Sequence, residues 1–260
     1  MDDIGKIFAH RNAVLFDLDG TVYYGDTLIP GASESIDACR KAGLSVMFLT
    51  NNSTKTRSQI RGRLRGMGVD CALDEVMSSG FAAASYAARM GLRDVFVCGS
   101  DDLAREFEDL DVPLAIDPPR ACNLVIGYDP RFDYSKLTCA VRVAMQAETV
   151  IACNRERTYA GKDAQAFPGC GGMVAPIEWC SGHAVDYVVG KPNARMVEIA
   201  CELAGCDPVH AVMVGDTYES DIVMAQDAGC GCVLVGAAHG RDVAAVGSIA
   251  EIAGAVVRYG

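Results

Sequence analysis

The sequence predicts an α/β protein with a parallel sheet and a second α/β module inserted into it. Short apolar runs that end in polar residues alternate with stretches of helical periodicity, and this alternation occurs near both ends of the 260-residue chain. A middle stretch, Gly80–His183, shows the same alternation on its own. At about 100–200 residues per domain, the length suits two domains.

The first strand–helix–strand unit lies near the N-terminus. The apolar run Ala13–Phe16 ends at Asp17, and a second run, Leu44–Leu49, ends at Thr50. Both runs predict buried parallel strands with polar C-terminal tips. Between them, apolar side chains recur at helical spacing at Ile36, Cys39 and Ala42. This unit predicts an α/β parallel sheet.

The same pattern returns late in the chain. Apolar runs predict further strands at Tyr187–Val189, Val212–Val214 and Cys232–Val235. Two stretches predict helices between them, near Ala194–Leu203 and Ser220–Ala228. Because ligands bind beyond the carboxyl ends of the strands in an open α/β sheet, we expect the polar clusters at these ends to meet.

The middle module has its own strands and helices. Its predicted strands are Asp94–Cys98, Asn123–Ile126 and Thr149–Ala152, with helices around Asp101 and Leu137. The loop Asn154–Gly172 is too rich in glycine and proline to predict a regular element. We therefore expect a core of residues 1–79 and 184–260 and an inserted domain of residues 80–183.

Composition and charge exclude several classes of partner. Half of the residues are hydrophobic and 22% are charged, which is typical of a globular protein. A net charge of -11 repels a nucleic-acid backbone or an anionic membrane surface. Apolar runs fall short of the roughly 18 residues that span a bilayer, and the N-terminus lacks a signal-peptide pattern. We expect no nucleic-acid or membrane partner and a cytoplasmic location.

The cysteines and the tryptophan favour structural roles. The twelve cysteines are scattered, mostly in apolar stretches, which favours buried thiols in a reducing cytoplasm. Cys230 and Cys232 form a close pair without a second pair nearby, so we predict no metal site there. Trp179 stands beside the apolar Ile177 and is expected in the core rather than at an interface.

The strongest chemical signal is Asp17-Leu18-Asp19-Gly20-Thr21, directly after a predicted strand. One of its carboxylates can attack phosphorus while the other protonates the leaving oxygen. Gly20 allows a sharp turn that lets backbone amides face a phosphate. Taken by itself, the segment also fits an Asp-Gly turn with solvated carboxylates.

A second acidic cluster follows a late strand. Gly215-Asp216-Thr217 leads to Asp221 at the start of a predicted helix, where acidic residues also serve as ordinary caps. Together the two clusters form a set of oxygen ligands of the kind that Mg²⁺ prefers.

A phosphate that faces carboxylates needs positive charge and hydrogen-bond donors close by. Lys191, between Gly190 and Pro192, supplies a point charge, and Thr50, Asn51 and Asn52 supply donors. Each feature separately fits a surface lysine or a polar turn, but their joint occurrence favours a phosphate site.

These motifs, in this order, resemble the haloacid dehalogenase (HAD) superfamily, specifically its NagD-like or 4-nitrophenylphosphatase-like branch, subfamily IIA. The resemblance spans nearly the whole chain and implies a Rossmann-like core with a parallel sheet and an inserted α/β cap domain. The cap's Pro-Gly-x-Gly turn is present as Pro168–Gly171. One departure is Asn154-Arg155-Glu156, where the family usually has Asn-x-Asp.

The resemblance also implies a role for each site residue. The implied nucleophile is Asp17, and the implied acid and base is Asp19. The implied phosphate ligands are Thr50, Asn51, Asn52 and Lys191. The implied Mg²⁺ ligands are the side chains of Asp17 and Asp216 and the backbone carbonyl of Asp19, with Asp221 orienting the shell.

The activity implied is magnesium-dependent hydrolysis of small-molecule phosphate monoesters through an aspartyl-phosphate intermediate. Nucleotides, sugar phosphates, pyridoxal phosphate and phosphoglycolate all remain open as substrates, with Tyr159 and Lys162 as candidate contacts to the leaving group. Pairing of two chains through the cap is a further expectation.

The alternative to an active phosphatase is a catalytically idle phosphate-binding or regulatory protein. Mutases of the superfamily carry a cap between the first two motifs, where this chain has about 28 residues, too few for a domain.

Overall fold

The strand predicted after Asn12 lies inside the first sheet. In the computed structural model, which describes residues 2–160 and 165–257, this strand is β1 (Ala13–Asp17), and all its residues are buried. An apolar run that is buried on both faces is typical of a parallel strand covered by helices. Asp17 is its last residue.

Within the described residues, the further strands in chain order are β2 (Tyr23–Tyr24), β3 (Thr27–Leu28), β4 (Ser45–Thr50), β5 (Val76–Ser78), β6 (Val95–Cys98), β7 (Asn123–Ile126), β8 (Thr149–Ala152), β9 (Thr158–Ala160), β10 (Ala166–Pro168), β11 (Tyr187–Val188), β12 (Ala211–Gly215), β13 (Gly231–Val235) and β14 (Ala245–Val246). The α-helices are α1 (Asp2–Phe8), α2 (Ala32–Lys41), α3 (Arg57–Gly66), α4 (Ser79–Met90), α5 (Asp101–Glu108), α6 (Tyr134–Ala144), α7 (Gly171–Ser181), α8 (Arg195–Ala204), α9 (Val223–Asp227) and α10 (Ala250–Val257). A π-helical turn, Tyr218–Ile222, directly precedes α9.

The chain divides into two compact units. The first comprises Met1–Thr50, Ile60–Met77 and Lys191–Gly260, and the second comprises Asn51–Gln59 and Ser78–Gly190. The predicted division differs because it left Asn51–Gln59 and residues 78–79 and 184–190 with the core. This segment bonds within the second unit: the backbone N–H of Tyr128 donates to Ser53 Oγ at 2.9 Å, and that of Arg57 donates to Glu106 Oε1 at 2.5 Å. The predicted domain boundaries stay predictions.

The sheet of the first unit has the strand order β14-β13-β12-β1-β4-β5 within the described residues. The strand β1 pairs in parallel with both β4 and β12, and β13 pairs in parallel with β12 and β14. Chain order reverses between β1 and β12, which makes this the topological switch point, where open α/β sheets bind their ligands. The predicted α/β fold with a parallel core is confirmed.

The helix predicted between the first two strands forms as α2. Its buried face is Ala32, Ser35, Ile36 and Cys39, the apolar stripe of an amphipathic helix. Glu34 in the first turn and Lys41 in the last turn complement the helix dipole. This face joins the apolar cluster that also holds Phe16 and Phe48.

The second unit has a sheet with strand order β11-β8-β7-β6, and its described pairs are parallel. Its strands β7 and β8 have the predicted bounds. The predicted strand at Tyr187 forms, but it pairs with β8 rather than joining the first sheet, with Tyr187 opposite Ile151. The assignment of this strand to the core was therefore wrong. An apolar run in the sequence predicts a strand. The strand with which it pairs depends on the path of the chain in the tertiary structure.

The loop Asn154–Gly172 contains more regular structure than the sequence predicted. Strands β9 and β10 pair antiparallel there, with Phe167 opposite Tyr159. The two rings stack with centroids 5.7 Å apart, which stabilises this strand pair although β10 ends in Pro168. The prediction of an irregular loop was wrong over these residues.

The core position expected for Trp179 is also wrong. Trp179 lies on α7 and is 89% exposed, whereas Ile177 is buried. Residues two apart on a helix point roughly 200° apart around its axis, so burial of one turns the other outward.

The twelve cysteines carry free thiols, and seven of them are buried: Cys39, Cys71, Cys98, Cys153, Cys170, Cys201 and Cys230. Among the helices of the described residues, none combines the length and apolarity needed to cross a membrane.

The buried face of α2 provides a test of the first core. Replacing Ile36 by alanine is expected to lower the free energy of unfolding by about 2–5 kcal/mol, because it removes buried methylenes and leaves a cavity. Asp37→Ala, at an exposed position of the same helix, is the matched control and should change it by less than about 0.5 kcal/mol. Denaturant unfolding measures both, and a similar small effect of the two changes would contradict this packing.

Candidate active site

The predicted polar tips lie at one edge of the first sheet. Asp17 ends β1, Thr50 ends the neighbouring β4, and Asp216 directly follows β12 on the other side. Phe16 is level with Val214 of β12, and Asp17 is level with Leu49 of β4. Because the strands are parallel, these residues emerge together at the carboxyl edge of the switch point.

A buried lysine connects two of the acidic motifs. Lys191 is 3% exposed, and its ammonium donates hydrogen bonds to Asp17 Oδ1 and, at 2.8 Å, to Asp221 Oδ1. Burial opposes its charge, but the two carboxylates outweigh this effect and raise the pKa of Lys191 above its usual range. The ammonium of Lys191 is therefore charged although it is buried.

Asp17 is a buried carboxylate in the same cluster. Burial raises the pKa of Asp17 well above its usual value, against the lowering effect of Lys191, while the nearby Asp221 raises it further. Because burial destabilises the ionised form of Asp17, any further positive charge nearby would stabilise that form.

Asp221 is held by the turn that precedes α9. Its side chain is 1% exposed, and its Oδ2 accepts a hydrogen bond from the backbone N–H of Thr217 at 3.1 Å. The predicted helix at Ser220–Ala228 begins here as the π-helical turn and becomes α-helical only at Val223. Such turns are frequent at functional sites, and this one carries Asp221.

Two glycines allow the carboxylates to approach the backbone. A Cβ at Gly20, which has φ +95°, would overlap the carboxylate of Asp216, and a Cβ at Gly215 would overlap the carboxylate of Asp221. The Asp-Gly sequence predicts a sharp turn at Gly20, and the structure adds this close approach of Asp216 as a second reason for glycine there.

The cluster of Asp17, Asp216 and Asp221 fits a divalent cation. Each offers one carboxylate oxygen, and these oxygens lie within 4.8 Å of one another. The donors are all hard oxygens, and Asp216 is exposed, so solvent can complete a coordination shell. The residues present therefore suit an ion of the Mg²⁺ type.

Asp19 is held by a residue that the sequence analysis missed. The hydroxyl of Tyr23 donates to Asp19 Oδ2 at 3.3 Å. Desolvation raises the pKa of Asp19, against the lowering effects of Arg63 and of the Tyr23 hydroxyl. Burial likewise raises the pKa of Tyr23 above its usual range, so its hydroxyl remains a donor. Because Tyr23 and Tyr24 are adjacent and identical, the sequence does not indicate which of them contacts Asp19.

Thr21 was also missed, although it belongs to the first motif. Its side chain is fully buried, and its hydroxyl donates to Asp216 Oδ1 at 3.4 Å. A threonine directly after an Asp-Gly turn was the available signal.

Asn51 and Asn52 lie in the second unit. Asn51 Nδ2 donates to Glu156 Oε1 at 2.8 Å, and its backbone carbonyl accepts from Asn154 Nδ2 at 2.8 Å. Asn52 Oδ1 accepts from the backbone N–H of Thr54 at 2.8 Å. Glu156, the departure from the family pattern, is thus a partner of a predicted phosphate ligand.

The candidate leaving-group contacts also fall in the second unit. Tyr159 bonds through its hydroxyl to that of Tyr128 at 3.1 Å. Lys162 lies outside the described residues.

Comparisons with known proteins match both ends of the chain to one family. Residues 14–113 match the model described as haloacid dehalogenase-like hydrolase, and residues 188–255 match the HAD-hydrolase-like model. The chain is 34% identical to sugar-phosphatase AraL of Bacillus subtilis, over 85% of this chain and 82% of that protein. It belongs to the haloacid dehalogenase-like hydrolases.

Two further relatives narrow the branch. Phosphoglycolate phosphatase 2 of Arabidopsis thaliana is 34% identical over 88% of this chain and 84% of its own length. The solved structure of 4-nitrophenylphosphatase from Thermotoga maritima superposes with a TM-score of 0.88 at 28% identity, covering 97% of this chain and 98% of that one. The predicted family and its 4-nitrophenylphosphatase-like branch are confirmed, and this HAD hydrolase is a phosphoric monoester hydrolase.

The glycine before Asp216 provides a test of the site. In this HAD hydrolase, Gly215→Ala should displace the carboxylate of Asp221 and with it the Lys191 ammonium. We expect kcat/KM for 4-nitrophenyl phosphate to fall by about a hundredfold or more, as small misplacements of catalytic groups do.

The matched control is Gly62→Ala. Gly62 lies within α3, and a Cβ there meets open space. Activity should stay unchanged in this variant, since alanine favours the helix. Full activity of Gly215→Ala would contradict the close approach of Asp221.

The raised pKa of Asp17 predicts a pH dependence of stability without metal. The folded protein holds the Asp17 proton more tightly than the unfolded chain, where the pKa is about 3.9. The resulting stabilisation is complete below that value and is lost as the pH rises through the raised pKa. Asp17→Asn should lack this loss.

Thermal unfolding of the metal-free wild type and of Asp17→Asn from about pH 4 to about pH 8 measures the effect. The melting temperature of the wild type relative to that of the variant should fall as the pH rises. A difference that stays constant over this range would refute the assignment to Asp17.

Proposed function

We propose that the protein is a magnesium-dependent phosphatase that hydrolyses small-molecule phosphate monoesters through an aspartyl phosphate on Asp17. The contact of the buried Lys191 with Asp17 and Asp221 carries this proposal. It supports a site in which a nucleophilic carboxylate lies beside a fixed positive charge. That is the arrangement which transfer of a dianionic phosphoryl group requires.

In the proposed first step, a carboxylate oxygen of Asp17 attacks phosphorus. The bond from phosphorus to the ester oxygen breaks, and the leaving oxygen takes a proton from Asp19. Lys191 and the hydroxyl of Thr50 bind phosphoryl oxygens, and Asn51 and Asn52 are proposed as further donors. The placement of Thr50 on the strand next to β1 supports its part in this set.

In the proposed second step, Asp19 acts as a base. It removes a proton from water, the water oxygen bonds to phosphorus, and the bond between phosphorus and Asp17 breaks. Inorganic phosphate leaves, and the starting protonation states return. Division into two displacements lowers each barrier.

The proposed ligands of Mg²⁺ are the side chains of Asp17 and Asp216 and the backbone carbonyl of Asp19, with Asp221 orienting this group. When bound, Mg²⁺ would neutralise charge on the phosphoryl oxygens. Thr21 supports the arrangement because its buried hydroxyl orients Asp216.

Small phosphate esters are the proposed substrates. The names of the relatives, a sugar phosphatase, a phosphoglycolate phosphatase and a 4-nitrophenylphosphatase, support this class. A negative net charge of -11 also disfavours polyanionic substrates such as nucleic acids.

A homodimer formed through the second unit and a cytoplasmic location are further proposals. The exposed Trp179 supports the first, because large aromatic side chains are enriched at interfaces. The free thiols support the second. Sedimentation velocity that finds a monomer at every protein concentration would contradict the dimer.

Release of inorganic phosphate from a panel of small esters tests the proposed function. With Mg²⁺ we expect turnover of several esters, with chelator we expect loss of turnover, and with Asp17→Asn we expect a fall in kcat of at least about a thousandfold because the nucleophile is lost. Asp37→Asn changes an exposed aspartate of α2 and is the matched control.

Each outcome separates the proposal from its alternative. Turnover by Asp17→Asn at the level of wild type would exclude an aspartyl phosphate at this position. Saturable binding of esters by the wild type without phosphate release would instead support an idle phosphate-binding protein.

A further inference from the structure

The turn after β1 brings Tyr23 beside Asp19. The backbone N–H of Gly20 donates to the carbonyl of Tyr23 at 2.9 Å, and the N–H of Tyr23 donates to the carbonyl of Leu18 at 3.1 Å. Gly20, at φ +95°, makes the reversal possible. The short hairpin of β2 and β3 then continues from Tyr23, which pairs with Leu28. The backbone thus fixes the spacing between the two side chains.

The hydroxyl of Tyr23 is directed at one oxygen of Asp19. Tyr23 is 2% exposed, and its Oη lies 3.3 Å from Asp19 Oδ2. A buried phenol requires a hydrogen-bond partner, and this carboxylate oxygen provides one. The contact defines the orientation of the Asp19 carboxylate as well as that of the tyrosine.

A cation holds the tyrosine ring in place. The guanidinium of Arg63, on α3, lies 4.5 Å from the centroid of the Tyr23 ring. The same guanidinium donates to the carbonyl of Gly25 and pairs with Asp26 Oδ1 at 3.1 Å. Since Arg63 bridges the ring and the hairpin that follows it, the ring has little freedom to leave Asp19.

We propose that Tyr23 is a positioning residue for Asp19. Its hydroxyl donates a hydrogen bond to Asp19 Oδ2, which leaves Oδ1 to carry the transferred proton. Oδ1 gives this proton to the leaving oxygen in the first step and takes one from water in the second. This inference rests on the proposed function, because it assigns a direction to the proton transfer of that reaction. Tyr23 itself exchanges no proton and touches no reacting atom.

The inference predicts a dependence on the leaving group. When phosphorus transfers to Asp17, the ester oxygen takes the bonding electron pair, and an alkoxide requires a proton at that moment far more than a nitrophenolate does. Misdirection of the Asp19 proton should therefore slow the hydrolysis of alkyl phosphate esters and leave that of 4-nitrophenyl phosphate almost unchanged. A general loosening of the site would slow both.

The experiment compares Tyr23→Phe with the wild type on 4-nitrophenyl phosphate and on glycerol 3-phosphate. We measure kcat/KM, because it reports the steps up to release of the leaving group and excludes the second step, which is common to all esters. We expect kcat/KM for glycerol 3-phosphate to fall about tenfold or more and that for 4-nitrophenyl phosphate to stay within about threefold.

Tyr24→Phe is the matched control, because Tyr24 is the adjacent residue of the same strand and is 57% exposed. It should leave both values unchanged. The melting temperature of Tyr23→Phe, which retains the ring beneath Arg63, shows whether the variant is folded.

The outcomes separate this inference from the proposed function. An equal fall for both esters in folded Tyr23→Phe, or a fall for neither, would overturn the positioning role while the phosphatase activity stands. If the wild type itself releases phosphate from neither ester, the proposed function fails first.

Discussion

A buried positive charge is the constraint on which the rest of the site depends. The ammonium of Lys191 sits where an unpaired charge would cost several kcal/mol, and it is stable there because Asp17 and Asp221 accept its hydrogen bonds. The three clustered carboxylates together carry about two more negative charges than this ammonium neutralises. That surplus matches the charge of one divalent cation. Burial is the main reason why the pKa of Asp17 is raised despite its contact with Lys191, and the neighbouring carboxylates of Asp221 and Asp216 raise it further.

The backbone makes this concentration of charge possible. Parallel strands on the two sides of the switch point deliver Asp17 and Asp216 to one edge, and glycines at 20 and 215 remove the side chains that would keep the carboxylates apart. A carboxylate placed against a backbone is oriented as well as buried. Orientation matters here because the proposed chemistry uses one particular oxygen of each aspartate.

The second unit contains a separate set of hydrogen bonds around Asn51. Asn51, which follows the last residue of β4, is bonded to Glu156 and to the buried Asn154. Two features that seemed unrelated along the sequence, a predicted phosphate donor and a departure from the family pattern, are therefore partners. A substitution at Glu156 would change the surroundings of Asn51, because the hydrogen bond between them links Glu156 to a residue that is only predicted to bind phosphate.

The α/β class and most strands could be predicted from the sequence, and a candidate site could be proposed from it, because burial and polarity are local properties of the apolar runs that end at Asp17, Thr50 and Gly215. The sequence could not determine which sheet Tyr187 joins, that Trp179 faces outward, or that Tyr23 rather than Tyr24 reaches Asp19. Strand partners, helix rotation and the direction of a side chain are decided by residues far apart in the chain. Only the tertiary structure brings those residues into contact, and it is contact that selects among locally equivalent choices.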